Sequence, residues 1–388
     1  MFMKKIFFKF FLLFSTLLSL GFAAESKNQE LRIGAILPLT GNYQEIGNSV
    51  LKTFELTLFE LPNVNVVLVP FDNQSSTSGT KFAFQELQSQ KIDIILGPIF
   101  EENLQSLINV NNFSKYTFVS LSNNISNLPE NVISFGINVN SQILALKKKL
   151  SEKKKDTIFF GDETSFAQTV LREMELRQIK FRNKYRYQSF KEISPKARNA
   201  TSYDWRHKKL LDQIKILQSS EELKDIKRLK ILEQLDTLGG VSYEQVFIPA
   251  FDNELISVVS FFDYYDVNYS NVEFVTLNQW FNKTILIEPS LQNIIFPSIN
   301  YKNFQELNTK FKDNYNKEIS NIEIIAYDTI PLLVSIWNEK KDKIFTIQDF
   351  RNKEFRGKVG IFKINQYNFA EHKLDLYQVK KGTFKKIN

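Results

Sequence analysis

Few side chains in this sequence are equipped for catalysis. It contains two histidines, His207 and His372, and neither stands at a metal-binding spacing. A His-Glu-x-x-His run, which would put two imidazoles on one helix face, is absent, and Gly97-Pro98 lacks the following lysine of a phosphate loop. No Gly-x-Ser-x-Gly elbow displays a serine. Cysteine is absent too, which removes thiol nucleophiles, disulfides and thiolate metal sites. Asp162-Glu163 is a candidate carboxylate pair for acid–base work. Adjacent loop residues point their side chains apart, however, so an exposed acidic loop is the simpler reading. His207 and His372 both read as surface residues. The inventory argues against an enzyme, and no cofactor or metal is expected.

What the chain offers instead is hydrogen-bonding residues at the ends of apolar runs. Thr40, Tyr43, Ser120, Ser122, Asn123 and Asn124 are candidates in the first part, with Asp162, Phe166, Phe251, Gln279 and Trp280 candidates to face them. Serine and asparagine also build turns and helix caps, so each has an ordinary local role as well.

The elements that position these groups follow a β-α alternation. Ile92–Leu96 is an apolar run stopped by Gly97-Pro98. Leu104, Leu107 and Ile108 share a helical face, with Glu101 and Glu102 in the first turn where the helix dipole favours them. Thr117–Leu121 then forms a second strand, completing one β-α-β unit. Two parallel neighbours release Gly97-Pro98 and Ser120–Asn124 at one carboxyl edge, where open α/β sheets hold ligands.

The same alternation precedes and follows that unit. Leu31–Leu39, Val64–Val69 closed by Pro70, and Val132–Phe135 read as strands, with helices from about Ser49 and over Phe82–Leu87. Ser141 reads as the cap of a helix carrying Ile143, Leu146 and Leu150. A second series starts with strand Thr157–Phe160 and helix Phe166–Leu176. Strands then vanish from about Lys180 to Gly239, where a helical hairpin is expected: Leu210, Leu211, Ile214 and Leu217 recur at helical spacing, and Ser219–Glu222 opens a second helix. Strands Gln245–Ile248, Val272–Thr276 and Ile294–Phe296 follow. Gly357–Ile364 and Leu374–Lys380 look like an antiparallel pair joined through Asn365–His372. Alternation of this kind predicts doubly wound parallel sheets.

At 388 residues and 43% hydrophobic content, there is material for two domains with sizeable cores. The abundance of Phe, 36 residues, is discounted as genome composition. Residues 1–23 read as a secretory signal: Lys4, Lys5 and Lys9 precede an apolar Phe10–Phe22, with Gly21 and Ala23 at the recognition positions. That run is short for a bilayer of about 30 Å, and no later run is of spanning length. The mature chain is therefore expected to be periplasmic, without a membrane span and, lacking cysteine, without a lipid anchor. Removing the three signal lysines leaves 47 of 50 basic residues against 43 acidic ones, a net +4. So small and dispersed a surplus is no nucleic-acid footprint.

Several of these segments resemble one family. Ile33–Gly41 with Gly47, Ile95-Leu96-Gly97-Pro98, Phe118-Val119-Ser120, Ala326-Tyr327-Asp328 and Phe355–Phe362 look like the leucine-binding type of periplasmic solute-binding protein. Asp236–Gly239, Phe247–Ala250, Phe261–Val267 and Asn278-Gln279-Trp280 ahead of Glu288-Pro289 resemble its penicillin-binding protein activator branch. The resemblance implies a type I periplasmic binding fold: two parallel-sheet lobes, three crossovers, near Asn138, Trp280 and Asn338, and a cleft between. It implies a first lobe of 30–140 plus 281–338 and a second of 141–280 plus 339–388, with a helical insert at 182–238. The candidate cleft residues, taken from the strand ends above, are Thr40, Tyr43, Ser120, Ser122, Asn123, Asn124, Phe166, Gln279 and Trp280. Two roles follow from the likeness. One is a regulator contacting a cell-wall synthase or other envelope protein; the other is the amino-acid- or amide-binding subunit of an ABC transporter. Glu101, Glu102 and Asn124 stand where family members bind an amino-acid ligand through small hydroxyl residues, which disfavours the second.

Overall fold

The computed structural model describes residues 29–61, 64–152 and 155–387. The expected leader, 1–23, lies outside these residues. Five parallel strands form a first sheet: β1 (Leu31–Leu37), β2 (Val66–Asp72), β3 (Ile94–Leu96), β4 (Phe118–Ser120) and β5 (Val132–Ser134). Their spatial order is β2-β1-β3-β4-β5. β1, β3, β4 and β5 are almost wholly buried, as parallel strands covered on both faces must be. Pro70, expected to close its strand, lies inside β2. That strand is the sheet edge, where a missing N–H breaks no ladder bond.

A second sheet has seven strands: β6 (Thr157–Asp162), β7 (Lys184–Tyr187), β8 (Gln245–Ile248), β9 (Glu273–Thr276) and β10 (Ile295–Ser298), then β14 (Asp375–Lys380) and β15 (Thr383–Lys386). The order is β15-β14-β10-β9-β8-β6-β7, parallel from β10 to β7 and antiparallel at β14 and β15. A small third sheet, β11 (Glu354–Arg356), β12 (Ile361–Ile364) and β13 (Ala370–His372), is antiparallel throughout. It continues the edge of the first sheet, because Ser134 N–H donates to the Asn368 carbonyl at 2.9 Å and Ser134 bridges Phe369.

Hydrogen bonding redraws several expected boundaries. β10, assigned to the first lobe by the 281–338 expectation, pairs β9 and β14 in the second sheet. Residues 354–372, expected in the second lobe, are tied instead to β5. By strand pairing the chain passes between the large sheets after β5, again after Ser298 and last around His372–Asp375, whereas the second and third crossings were expected at Trp280 and Asn338. β12 pairs β13 and β14 pairs β10, so Gly357–Ile364 and Leu374–Lys380 are not partners. The expected insert at 182–238 begins with a strand, β7, and its helices are Ile193–Ala200, Tyr203–Leu217 and Leu223–Leu232. The first crossover helix, Val139–Leu150, is capped by Asn138 rather than Ser141: the Asn138 Oδ1 accepts from Ser141 N–H at 3.0 Å.

Among the described residues, twelve phenylalanines are the largest fully buried side chains, Phe54, Phe118, Phe160 and Phe296 among them. Each contributes roughly 1.5–3 kcal/mol of burial, so this abundance is structural whatever its genomic origin. The last long helix, Asn321–Glu339, packs along Gln44–Glu60, and the buried Glu323 accepts a hydrogen bond from Ser49 on that neighbour.

Candidate functional site

The opening between the sheets is built where β3 and β4 end. Gly97 stops β3 with φ +94°, and a β-carbon there would stand 2.4 Å from the Ile36 carbonyl oxygen. Only glycine lets the chain turn this close to β1. The helix Glu101–Leu107 follows, and across from it the chain leaves β4 through Ser122–Ser126.

Both serines of this edge are engaged within the protein. Ser120 is fully buried, its hydroxyl donating to the Pro98 carbonyl at 2.7 Å and accepting from Ser122 N–H at 3.3 Å. Ser122 is 8% exposed and its Oγ accepts from Asn124 N–H at 3.1 Å. Asn124 in turn donates from Nδ2 to Glu101 Oε1 at 2.7 Å and to the Ser126 carbonyl at 3.0 Å. The Ser120 hydroxyl is thus structural, the Ser122 Oγ braces the turn as an acceptor, and the group presented at the surface is a glutamate held by an asparagine.

Glu101, Asn123 and Asn124 line a pocket of about 210 Å³ together with Ser165, Phe166 and Thr169 of the opposing helix Ser165–Leu176. Phe166 leans on Phe251, ring centroids 5.7 Å apart. Three of the expected cleft residues, Asn123, Asn124 and Phe166, therefore meet. Ser165 and Thr169, one helical turn apart on the facing helix, were not singled out by sequence; their i, i+4 spacing after a strand end was the available signal.

The remaining expected residues lie elsewhere. Thr40 belongs to a separate turn, where its hydroxyl donates to Asp72 Oδ2 at 2.6 Å and its carbonyl accepts from Ser75 Oγ at 2.6 Å. Burial works against the Asp72 carboxylate, but the Thr40 hydroxyl and the N–H groups of Gln74, Thr40 and Leu39 outweigh it and hold its pKa below the usual range. Tyr43 packs its ring, tilted by 45°, against Phe100 with centroids 4.6 Å apart. Gln279 is buried and spends its amide on the Ala250 and Leu277 carbonyls. Trp280 sits in a left-handed turn, φ +49°, with its N–H on Asn278 Oδ1, half-buried against the core. Neither Gln279 nor Trp280 lines the pocket.

Asp162 and Glu163 form no acid–base pair. Asp162 Oδ1 accepts from the Thr164 hydroxyl at 2.7 Å, while Glu163 Oε2 accepts from Gln188 Nε2 at 3.0 Å. His372, expected at the surface, is 4% exposed, with its ring against Phe135 and Phe362. Among the described residues there is no cluster of three or more metal-ligating side chains, and no helix is long and apolar enough to cross a membrane.

A second candidate surface is the helical hairpin. Leu210, Leu217 and Leu232 pack into a small core of their own. The outer faces leave Trp205, Ile216, Leu223 and Ile231 each more than 60% exposed. Single apolar residues on a surface are ordinary; four on one hairpin make it the second candidate surface.

No protein-family model matches the chain, and no curated protein does. Solved structures do. The C-domain of LpoA (YraM) from Haemophilus influenzae, a regulator of PBP1A, aligns over 92% of this chain and 100% of its own, at 13% identity and TM-score 0.64. The leucine binding protein LivK of Thermotoga maritima aligns over 92% and 98%, at 14% identity and TM-score 0.56. LivJ of Streptococcus pneumoniae, a branched-chain amino acid transporter substrate binding protein solved with isoleucine, gives 92% and 98% coverage, 13% identity and TM-score 0.56. The chain has the type I periplasmic binding protein fold that these structures share.

Proposed function

We propose that this protein is a non-enzymatic envelope protein that regulates cell-wall synthesis by touching a synthase, in the manner of the LpoA regulator it resembles in fold. The observation carrying this reading is the state of the cleft hydroxyls. Ser120 is spent on the backbone around it, the Ser122 Oγ accepts from Asn124 N–H, and Glu101 stands in the pocket they would serve. An amino-acid carboxylate entering there meets the Glu101 carboxylate, and Coulomb repulsion at such range opposes it. The exposed apolar residues of the hairpin supply a surface suited to a protein partner.

The test is capture of purified cell-wall synthases on the immobilised chain, with Trp205→Ser, Leu223→Ser and Ile231→Ser combined as the comparison. Retention by the native chain that is lost in the variant supports the reading. Equal retention by both, or none by either, ends it.

The alternative, an amino-acid- or amide-binding subunit of an ABC transporter, draws support from the Phe166 and Asn123 walls of the same pocket. It requires a free amino acid or amide to stabilise the fold, by about 2.7 kcal/mol at a hundredfold excess over Kd. A thermal-shift screen that finds such a ligand, with the shift lost in Phe166→Ala, would replace the regulatory reading.

A further inference from the structure

The second hairpin helix, Leu223–Leu232, reads Leu-Lys-Asp-Ile-Lys-Arg-Leu-Lys-Ile-Leu. Leu232 is buried and Leu229 half-buried against Leu210 and Leu217 of the first hairpin helix, which fixes the inward side. Asp225, the only carboxylate of the helix, stands on that side too, one turn before Leu229. It is half-buried and accepts from the Ser220 hydroxyl at 2.6 Å.

What faces outward is therefore apolar or basic, with no acid between. Leu223, Lys227 and Ile231 follow one another at i, i+4 and i+8, and Ile226 and Lys230 form the next row. All five are exposed. Lys227, Arg228 and Lys230 make no ion pair or hydrogen bond among the described residues, whereas Lys224 is paired with Glu222 at 2.7 Å. On the first hairpin helix Lys208 and Lys215 are equally free, and Lys209 lies over the Trp205 ring at 5.1 Å. Residues 203–232 hold eight basic side chains against five acidic ones, and three of those acids, Asp204, Glu222 and Asp225, are already engaged. The hairpin is thus a positive surface with apolar points set into it.

Two kinds of anionic surface attract such a face, a bilayer and an acidic protein. An interfacial helix sinks a continuous apolar side about 5–10 Å into lipid. Here that side, Leu229 and Leu232, is closed against the first hairpin helix. What remains alternates apolar and basic along a single row. A folded protein matches that alternation with carboxylates fixed beside apolar seats, and a fluid headgroup layer does not.

We propose that the protein surface taken by this hairpin is acidic: it presents carboxylates to Lys227 and Lys230 around apolar seats for Leu223 and Ile231. The acidic partner is the synthase of the regulatory reading above, on which this rests. Attraction between the two faces steers their encounter and rejects basic proteins, and it is screened by salt.

The experiment is biolayer interferometry of the full chain against purified cell-wall synthases at about 50 and about 500 mM salt. The native chain is compared with Lys227→Glu plus Lys230→Glu and with Leu223→Ser plus Ile231→Ser, and flotation with phosphatidylglycerol vesicles runs beside it. Both lysines are exposed and glutamate is as good a helix former, so the charge-reversed chain keeps its fold. The expected result is synthase binding weakened about tenfold by charge reversal and again by the higher salt, and weakened also by the serine pair. Binding lost in the serine pair but indifferent to charge reversal and salt overturns the acidic partner and leaves the regulatory reading standing. No synthase binding by the native chain overturns both. Vesicle flotation that charge reversal abolishes, with synthase binding untouched by it, gives these cations to lipid and overturns the acidic partner alone.

Discussion

The guanidinium of Arg206 donates to the Thr237 hydroxyl at 2.5 Å, and that hydroxyl in turn donates a hydrogen bond to the Asp266 carboxylate. Arg206 is 3% exposed and also donates to the carbonyls of Gly239 at 2.8 Å, Asp266 at 3.1 Å and Tyr265 at 3.3 Å. One side chain thereby fastens the hairpin helix Tyr203–Leu217 to two loops of the second sheet. It also explains two sequence motifs, Asp236–Gly239 and Phe261–Val267: they are the two ends of this clamp.

Replacing Arg206 by methionine keeps the length and removes every donor. Of the acceptors left behind, Thr237 and Tyr265 are buried, Asp266 is half-exposed and Gly239 is exposed, so a loss of about 2–3 kcal/mol is expected. Urea denaturation checks the magnitude, and limited proteolysis should cut first between residues 203 and 238. A loss below about 0.5 kcal/mol would mean the hairpin is held by its leucines alone.

Asp328 and Gly357 provide a paired steric test. The Asp328 carboxylate accepts from the N–H groups of Lys358 and Val359, both at 2.7 Å, and a β-carbon on residue 357 would lie 2.2 Å from it. Gly357→Ala should cost about 2–3 kcal/mol, as overpacking against a fixed group does. Gly240→Ala, which meets nothing within 4 Å, should change stability by less than about 0.5 kcal/mol. Similar melting temperatures for the two variants would contradict this geometry.

Two buried groups give opposite pH dependences. Burial lowers the His372 pKa from 6.5 to about 4, against a hydrogen bond to the Phe135 carbonyl that works the other way. The unfolded chain therefore binds the His372 proton first, and stability falls as pH drops from 6.5 towards 4. Burial raises Asp328 from 3.8 to about 6, although the Val359 and Lys358 N–H groups and the Lys358 charge oppose it. There the native state binds the proton first, and stability rises as pH drops through 6. Stability between about pH 4.5 and 6.5 should be nearly flat in the native chain, each shift being worth about 1.4 kcal/mol per unit. His372→Gln should then gain stability towards acid, and Asp328→Asn should lose it. Parallel profiles for the two variants would refute the assignment.

Ser120→Ala should cost about 1–2 kcal/mol, because the Pro98 carbonyl loses its buried donor. It should leave every amino acid's thermal shift unchanged, since the hydroxyl never faces the pocket. A selective loss of one ligand's shift would restore Ser120 as a binding residue.

The unit 92–124 was legible because glycine, proline and asparagine punctuate it and its strands are short apolar runs. Its strands fall at Ile94–Leu96 and Phe118–Ser120, within two residues of expectation. The partners of β10 were not legible. A buried parallel strand reads the same in either sheet, and only hydrogen bonds to β9 and β14 decide. His372 looked exposed because a polar turn precedes it, yet the turn folds it under β12. Arg206 was hidden in a run of charges, where one buried guanidinium has no sequence mark. Of the expected cleft, Asn123, Asn124 and Phe166 came together because strand ends and a helix start define that edge. Gln279 and Trp280 did not, since their groups answer to the local turn.

The seven-stranded sheet has a consequence for the order in which the molecule is made. All five strands of the first sheet lie before residue 135, so that sheet can pair while the rest of the chain is still emerging. β10 must wait for β14, some eighty residues later, before its outer edge is covered. Until then it offers an unpaired, buried-type strand to any neighbouring chain, the kind of edge on which aggregation begins. A nonsense codon or a protease cut just ahead of Asp375 would therefore yield self-association, more than simple loss of the last two strands.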